Sequence, residues 1–206
     1  MSHPSTPLFT TFHALRIKGF ATIETLADMV GLDADTVQGH LDEFAAAGQA
    51  QFREARALWQ LTTDGRAAHA DQLIADLGDV DAPAALGPAY ERFLVSNGEF
   101  KALCSAWQVR DGEPNDHSDS DYDADVTSRL GAVHGRTTPI VAEMGGVLDR
   151  LSPYGGRLAA SLDRLTAGET NMFTGVMCGS YHDVWMELHE DLILTQGIDR
   201  SAEGSF

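Results

Sequence analysis

The chain of 206 residues is poor in lysine and cysteine, holding only Lys18 and Lys101 of the one and Cys104 and Cys178 of the other. Two thiols in a chain this long cannot make a disulfide framework, so they read as reduced, buried thiols of a cytoplasmic protein. No stretch approaches ~18 uninterrupted apolar residues, which argues against a helical membrane span. The opening MSHPSTPLFTTFHALRIKG lacks a charged segment followed by a long apolar run, and no secretory leader is expected. Positive charge is scarce overall: 14 Lys and Arg stand against 31 Asp and Glu, for a formal charge of −17. Such a balance disfavours nucleic acid and anionic membrane surfaces as partners. GxxxxGK(S/T), GxGxxG, GxSxG, CxxC and HExxH are all missing, so the chain shows no nucleotide site of its own, no nucleophile elbow and no zincin motif.

What is present begins with helical periodicity. Leu8, Phe12, Leu15 and Ile17 form an apolar stripe ending at Gly19. Thr22 can cap a second helix with Ile23, Leu26, Ala27 and Val30 on one face, closed by Gly31. Asp33 or Asp35 opens a third, carrying Val37, Leu41, Phe44 and Ala45 and stopping at Gly48. Ala50–Arg53 and Leu58–Leu61 read as short strands around Glu54–Ala57, and Thr62 or Thr63 caps a further helix to Leu77. This order of helix, helix, helix, hairpin and helix resembles the MarR-like winged-helix proteins. LWQLTTDGRAAH is similar to the strand-into-helix segment LTxxGR of that family. The fold class implied is mainly α: a winged helix-turn-helix with a small hairpin wing over 1–79, then an all-α domain over 89–198.

A helix-turn-helix reads base edges with its second helix of the pair, here the third helix of the chain. Its polar positions are Asp35, Thr36, Gln38, His40, Asp42 and Glu43, with no Arg or Lys among them. If DNA is bound, Gln38, His40 and the wing residues Arg53 and Arg56 are the candidates. DNA affinity comes largely from cations neutralising phosphates. The span 1–80 has 5 Lys/Arg against 11 Asp/Glu, so the reading favours a packing or protein-docking module.

Residues 78–88, GDVDAPAALGP, read as a linker. Beyond it, Tyr90–Trp107, Val126–His134, Pro139–Leu151, Gly156–Ala167 and Met177–Thr195 are helical candidates, with Gly168 and Gly197 as stops, and no strand is expected after residue 61. Asp111–Asp125 reads as an acidic loop with Asp119, Asp121, Asp123 and Asp125 solvated, and Asp199–Phe206 as a loose tail. Within 107–125, Trp107, Gln108 and Arg110 end an apolar helix and face inward or toward a cleft, while Asp116 and His117 lie on a turn. At 100° per residue, His182, Trp185, Met186 and His189 share a stripe, whereas Asp183, Glu187, Glu190 and Asp191 fall on other, solvated faces. Two histidines seven apart dictate no third ligand, so no metal is expected. Tyr154 and Arg157 are read as capping or pairing with carboxylates, and His134 adds another polar group to an apolar helix.

The patterns LCxxWQxR, PNDHxDxxYD, YGxRLxxxLxRxxAGExxxF and SYHxVWxELHEDLxLTxG resemble a region of actinobacterial phosphotransferases of the phosphoenolpyruvate-synthase (dikinase) type. No ATP-binding or phosphohistidine segment accompanies them. The resemblance therefore implies a non-autonomous small subunit that presents a small phenolic or aromatic acceptor to a larger partner. ATP and Mg would sit on that partner, with no cofactor bound by this chain. His117 or His182 would be the general base, and Arg110 would neutralise the transferring phosphoryl group. Trp107, Gln108, Asp116, His134, Tyr181, Trp185, Glu187 and His189 would bind the acceptor. The alternative is a MarR-like transcriptional regulator whose helical domain senses a ligand.

Overall fold

Capping chemistry sets the first three helices. In the computed structural model, which describes residues 2–199, α1 (Pro7–Lys18) starts where Thr6 Oγ1 accepts from Phe9 N, with Pro7 in the first turn. Thr22 caps α2 (Ile23–Val30) in the same way, and Gly31 closes it in the left-handed conformation. Asp33 rather than Asp35 caps α3 (Ala34–Ala46), accepting from Thr36 N at 2.8 Å. Strands β1 (Ala50–Arg53) and β2 (Leu58–Leu61) pair antiparallel, Ala50 opposite Leu61 and Arg53 opposite Leu58. Thr62 then caps α4 (Thr63–Leu77).

Gly65 explains its own place in LTTDGR. A Cβ there would lie 1.9 Å from the Gln49 carbonyl oxygen, the acceptor of Thr62 N. Only glycine lets the start of α4 lie this close to the entry of the hairpin.

The presumed linker is mostly helix. α5 runs from Ala82 to Gln108, capped by Asp81, and only residues 78–81 connect it to α4. Pro83 sits in the first turn, where its missing N–H costs nothing. Pro88 lies farther in, but Ala82, Leu86 and Ala89 are buried, and that packing overrides the local breakers. The same correction applies to α6 (Ser120–Val147), a single helix continuing through Pro139 where a break between 134 and 139 was expected. α7 (Pro153–Thr166) and α8 (Tyr181–Gln196) complete the helices. Gly197 is the left-handed stop of α8, while Gly168 follows the end of α7. A second small sheet joins β3 (Val109–Arg110) to β4 (Glu113–Pro114), correcting the expectation of no strand after residue 61. Its loop is Asp111-Gly112, both at positive φ, as two-residue hairpins favour. The expected loose tail lies outside the described residues from position 200 on.

The molecule is thus mainly helical with a small antiparallel sheet near its start. Two apolar cores form. One gathers Phe12, Leu15, Leu26, Leu41 and Leu61; the larger gathers Phe93, Phe100, Leu130, Tyr181 and Trp185. Helix α1 is buried nearly all round because it packs on α2, α3 and α4 and also touches α8. The segment before α1 adds a second tie: His3 N donates to Val147 O, and Ser5 N to Asp149 Oδ1. Among the described residues no helix is long and apolar enough to cross a membrane.

Candidate functional site

The candidate residues separate into three places. The first is the turn between α5 and α6. His117, at φ 57°, has its Nδ1 2.9 Å from Asp123 Oδ2, and its ring lies 4.6 Å from that of Trp107. Asn115 Nδ2 donates to the Trp107 carbonyl and to the other oxygen of Asp123. Asp123, expected to be solvated, is instead drawn inward at 15 % exposure by these two donors. Asp119 is also more than a solvated acid: it caps α6 through Tyr122 N and receives Arg110 Nη1 at 2.8 Å. The Tyr122 amide and the guanidinium lower its pKa, and the bond raises that of Arg110. Arg110 also stacks on the Tyr122 ring, 4.5 Å from its centroid. Asp116 is exposed, held low by bonds from Ser118, and Gln108 is exposed as well. Trp107 and Asp123 line an open groove of about 460 Å³ against Leu162, Leu165 and Thr170. That volume falls within the ~300–1,000 Å³ of small-molecule sites.

The second place is the aromatic heart of the larger core. Tyr181 and Trp185 are fully buried; Trp185 Nε1 donates to Asn97 Oδ1, and Tyr181 OH meets His134 Nδ1 at 3.3 Å. His189 is buried beside the Tyr90 hydroxyl at 3.2 Å. The half-buried His182 and His134 have lowered pKa values because burial disfavours the imidazolium. Met186, placed on the same stripe by periodicity, is exposed instead. The face of α8 that packs inward is therefore wider than a single stripe. His182 and His117 belong to separate surroundings, and only His117 has an orienting carboxylate within 3 Å.

The third place is only partly legible in the sequence: Tyr154 and Arg157 do pair with carboxylates, as expected, but periodicity places their partners on solvated faces. Glu187 and Asp191, expected on solvated faces, are 5 % and 2 % exposed. They turn inward rather than to water because Lys18 and His13 of α1, together with Arg150 and Arg157, meet them there. Lys18 Nζ reaches Glu187 Oε1 at 2.5 Å, and Arg157 Nη2 lies 2.7 Å from Oε2, close but poorly aligned for a hydrogen bond. Asp191 accepts from Thr195 and Tyr154 and contacts His13 Nε2 at 2.9 Å; His13 Nδ1 in turn contacts His69 Nε2 at 2.8 Å. Burial would raise the Asp191 pKa, but His13, Arg150 and the bonds it accepts outweigh that and hold it at about 2. Burial, reinforced by the neighbouring His13, pushes His69 down to about 3. The i, i+4 spacing of Glu187 and Asp191 was the available signal, but nothing in α8 itself shows which helix will face it.

The DNA candidates are dispersed. Gln38 Nε2 donates to Asp42, and His40 Nδ1 contacts Thr11 Oγ1, so both groups are engaged internally. Arg53 and Arg56 are exposed on the hairpin. Among the described residues no cluster of three His, Cys, Asp or Glu side chains is arranged to hold a metal. No protein-family model, curated protein or solved structure matches this chain.

Proposed function

We propose that this chain is the acceptor-presenting small subunit of a dikinase-like phosphotransferase. Its site is the groove beside Trp107. The observation that carries the reading is the His117–Asp123 pair: Asp123 Oδ2 contacts Nδ1, which leaves Nε2 to take a proton, and the imidazole packs against Trp107, which together with Asp123 lines the groove. In the reaction, the acceptor hydroxyl loses its proton to His117 Nε2. Its oxygen forms the new O–P bond as the N–P bond of the partner's phosphohistidine breaks. Arg110, already near the turn, offers a guanidinium to the phosphoryl oxygens. Trp107 gives an aromatic acceptor an apolar wall. ATP and Mg belong to the larger subunit.

The test is co-purification from the native host followed by ATP consumption with small phenols. His117→Ala lowers turnover about 10²–10⁴-fold if it is the base. Asp123→Asn lowers kcat, Trp107→Ala mainly raises KM, and His182→Ala leaves both near the starting value. Full turnover in His117→Ala removes His117 as the base. Failure to co-purify with any phosphotransferase removes the function.

A second reading is a winged-helix regulator. It is favoured by α1, α2 and α3 leading into the β1–β2 hairpin and α4, together with the antiparallel Ala21–Trp59 bridge that adds a third, one-residue strand. Only Arg53 and Arg56 of its candidates are exposed cations, and exposed Asp35, Asp42 and Glu43 face outward from α3. Binding to the upstream duplex is thus expected no tighter than micromolar at physiological salt. Nanomolar, salt-dependent anisotropy would favour the regulator instead.

A further inference from the structure

The groove beside Trp107 has one sign of charge. Two helices end in its wall: α5 stops at Gln108, next to Trp107, and α7 stops at Thr166, next to Leu165. The C-terminal end of a helix carries a partial negative charge, concentrated in its last turn. The positive end of α6 also lies beside the groove, but Asp119 caps it and Asp121 and Asp123 occupy its first turn. Among the described residues that line the groove, Asp123 is the one acidic or basic side chain. Its two oxygens meet the His117 imidazole and the Asn115 amide, neither of them a permanent cation. The arginines that neighbour the lining residues along the chain already have carboxylates: Arg110 lies 2.8 Å from Asp119, Arg129 3.5 Å from Asp125 and Arg164 2.6 Å from Glu169. The rest of the polar lining is hydroxyl, from Thr127, Ser128, Thr166 and Thr170.

We infer that the groove selects a hydroxylated aromatic amine, with its ring against Trp107, Leu162 and Leu165, its hydroxyl toward His117 and its ammonium among the hydroxyls at the end of α7. This names the acceptor class and rests on the reading of the groove as the acceptor site. An ammonium has donors and no acceptor, and the groove offers it hydroxyl and carboxylate oxygens that accept. Its charge is opposite to that of Asp123 and of both helix ends. An uncharged phenol gains the apolar contacts and none of the electrostatic ones. A ring carrying a carboxylate meets a field of its own sign, with no cation in the lining to offset it. At about 460 Å³ the groove has room for an aromatic ring with a short side chain.

Calorimetry of the full chain at neutral pH, with three ligands of similar shape, tests this: tyramine is cationic, para-ethylphenol uncharged and para-hydroxyphenylacetate anionic. Tyramine should bind saturably and about ten-fold more tightly than para-ethylphenol, as one charge met near a protein surface implies. Para-hydroxyphenylacetate should give no saturable heat. Asp123→Asn should remove most of the preference for tyramine. Gly131→Leu should abolish binding of both tyramine and para-ethylphenol: Gly131 lines the groove and a Cβ there meets nothing within 4 Å, so the leucine enters the space without a clash. That variant keeps every charge, so it also separates the groove from a general attraction of amines to an acidic chain, and it decides the matter if Asp123→Asn does not fold. Absence of saturable tyramine binding, equal or tighter binding of either other ligand, undiminished binding in Gly131→Leu, or an unchanged preference in a folded Asp123→Asn variant each overturns the assignment. The result is read apart from the transfer reaction. Tyramine binding by a chain that co-purifies with no phosphotransferase keeps the site and removes the transfer, whereas a phosphotransferase partner without the tyramine preference keeps the transfer and removes this ligand class.

Discussion

At the scale of single residues, His69 and Asp191 make the fold sensitive to acid. His69 stays neutral in the folded chain down to about 3, whereas an unfolded histidine takes a proton near 6.5. Between those values the unfolded state binds the extra proton, so stability falls as pH falls, by about 1.4 kcal/mol per pH unit from this one group. Asp191, held at about 2 against an ordinary 3.8, adds a further loss of stability as pH drops through 3.8 toward 2. Denaturation midpoints measured from pH 8 to pH 4 should be level above about pH 7 and decline below 6.5. His69→Phe should flatten the part between 6.5 and 4, and a wild-type midpoint unchanged to pH 4 contradicts the reading. Little of this was legible in advance. His13 and His69 lie 56 positions apart, and His13 and Asp191 178 apart. Periodicity reports which face of a helix is apolar, but not which polar groups another helix will bring to it.

At the scale of elements, local chemistry was readable wherever it acts within four residues. Thr22, Asp33 and Thr62 cap as their types predict, and the hairpin bounds follow from the short β-prone runs. The Asp111-Gly112 dipeptide is a strong hairpin signal that the surrounding carboxylates obscured. The readings that failed concern proline, at Pro88 and Pro139, where burial of flanking residues keeps one helix running. Pro139 is itself exposed and removes the bond that would run to the Gly135 carbonyl. Pro139→Ala should therefore stabilise the chain by about 1–2 kcal/mol. The restored helix geometry is worth about 3 kcal/mol, less the entropy that Pro withholds from the unfolded chain. Urea titration gives the difference, and a lowered midpoint would show that α6 depends on its proline.

At the scale of the whole molecule, Glu187 is one of the carboxylates that tie α1 to the larger core, beside Asp191. It holds Lys18 of α1 on one oxygen and Arg157 of α7 on the other, with all three side chains at most 13 % exposed. Removing one partner from a buried ionic group leaves uncompensated charge. Glu187→Gln strands two cations and should cost about 3 kcal/mol, seen as a lower urea midpoint. The joint double variant Glu187→Gln with Lys18→Met should recover part of it. A change below about 1 kcal/mol would mean that the cations relax to solvent and that Glu187 does not hold the cores together.

The burial of α1 on both sides also has a bearing on the order in which the chain becomes ordered during synthesis. Residues 7–77 can collapse around Phe12 and Leu41 as soon as they leave the ribosome, since their apolar contacts are internal to that stretch. The opposite side of α1, with His13 and Lys18, must wait through more than a hundred further residues for Glu187 and Asp191. That waiting surface mixes His13 and Lys18 with apolar Ala14, Ile17, Met29 and Val30, so the nascent intermediate presents water with groups it solvates well beside others it does not. The ions and imidazoles dilute that apolar patch while the early portion waits, and the final helix closes over both late.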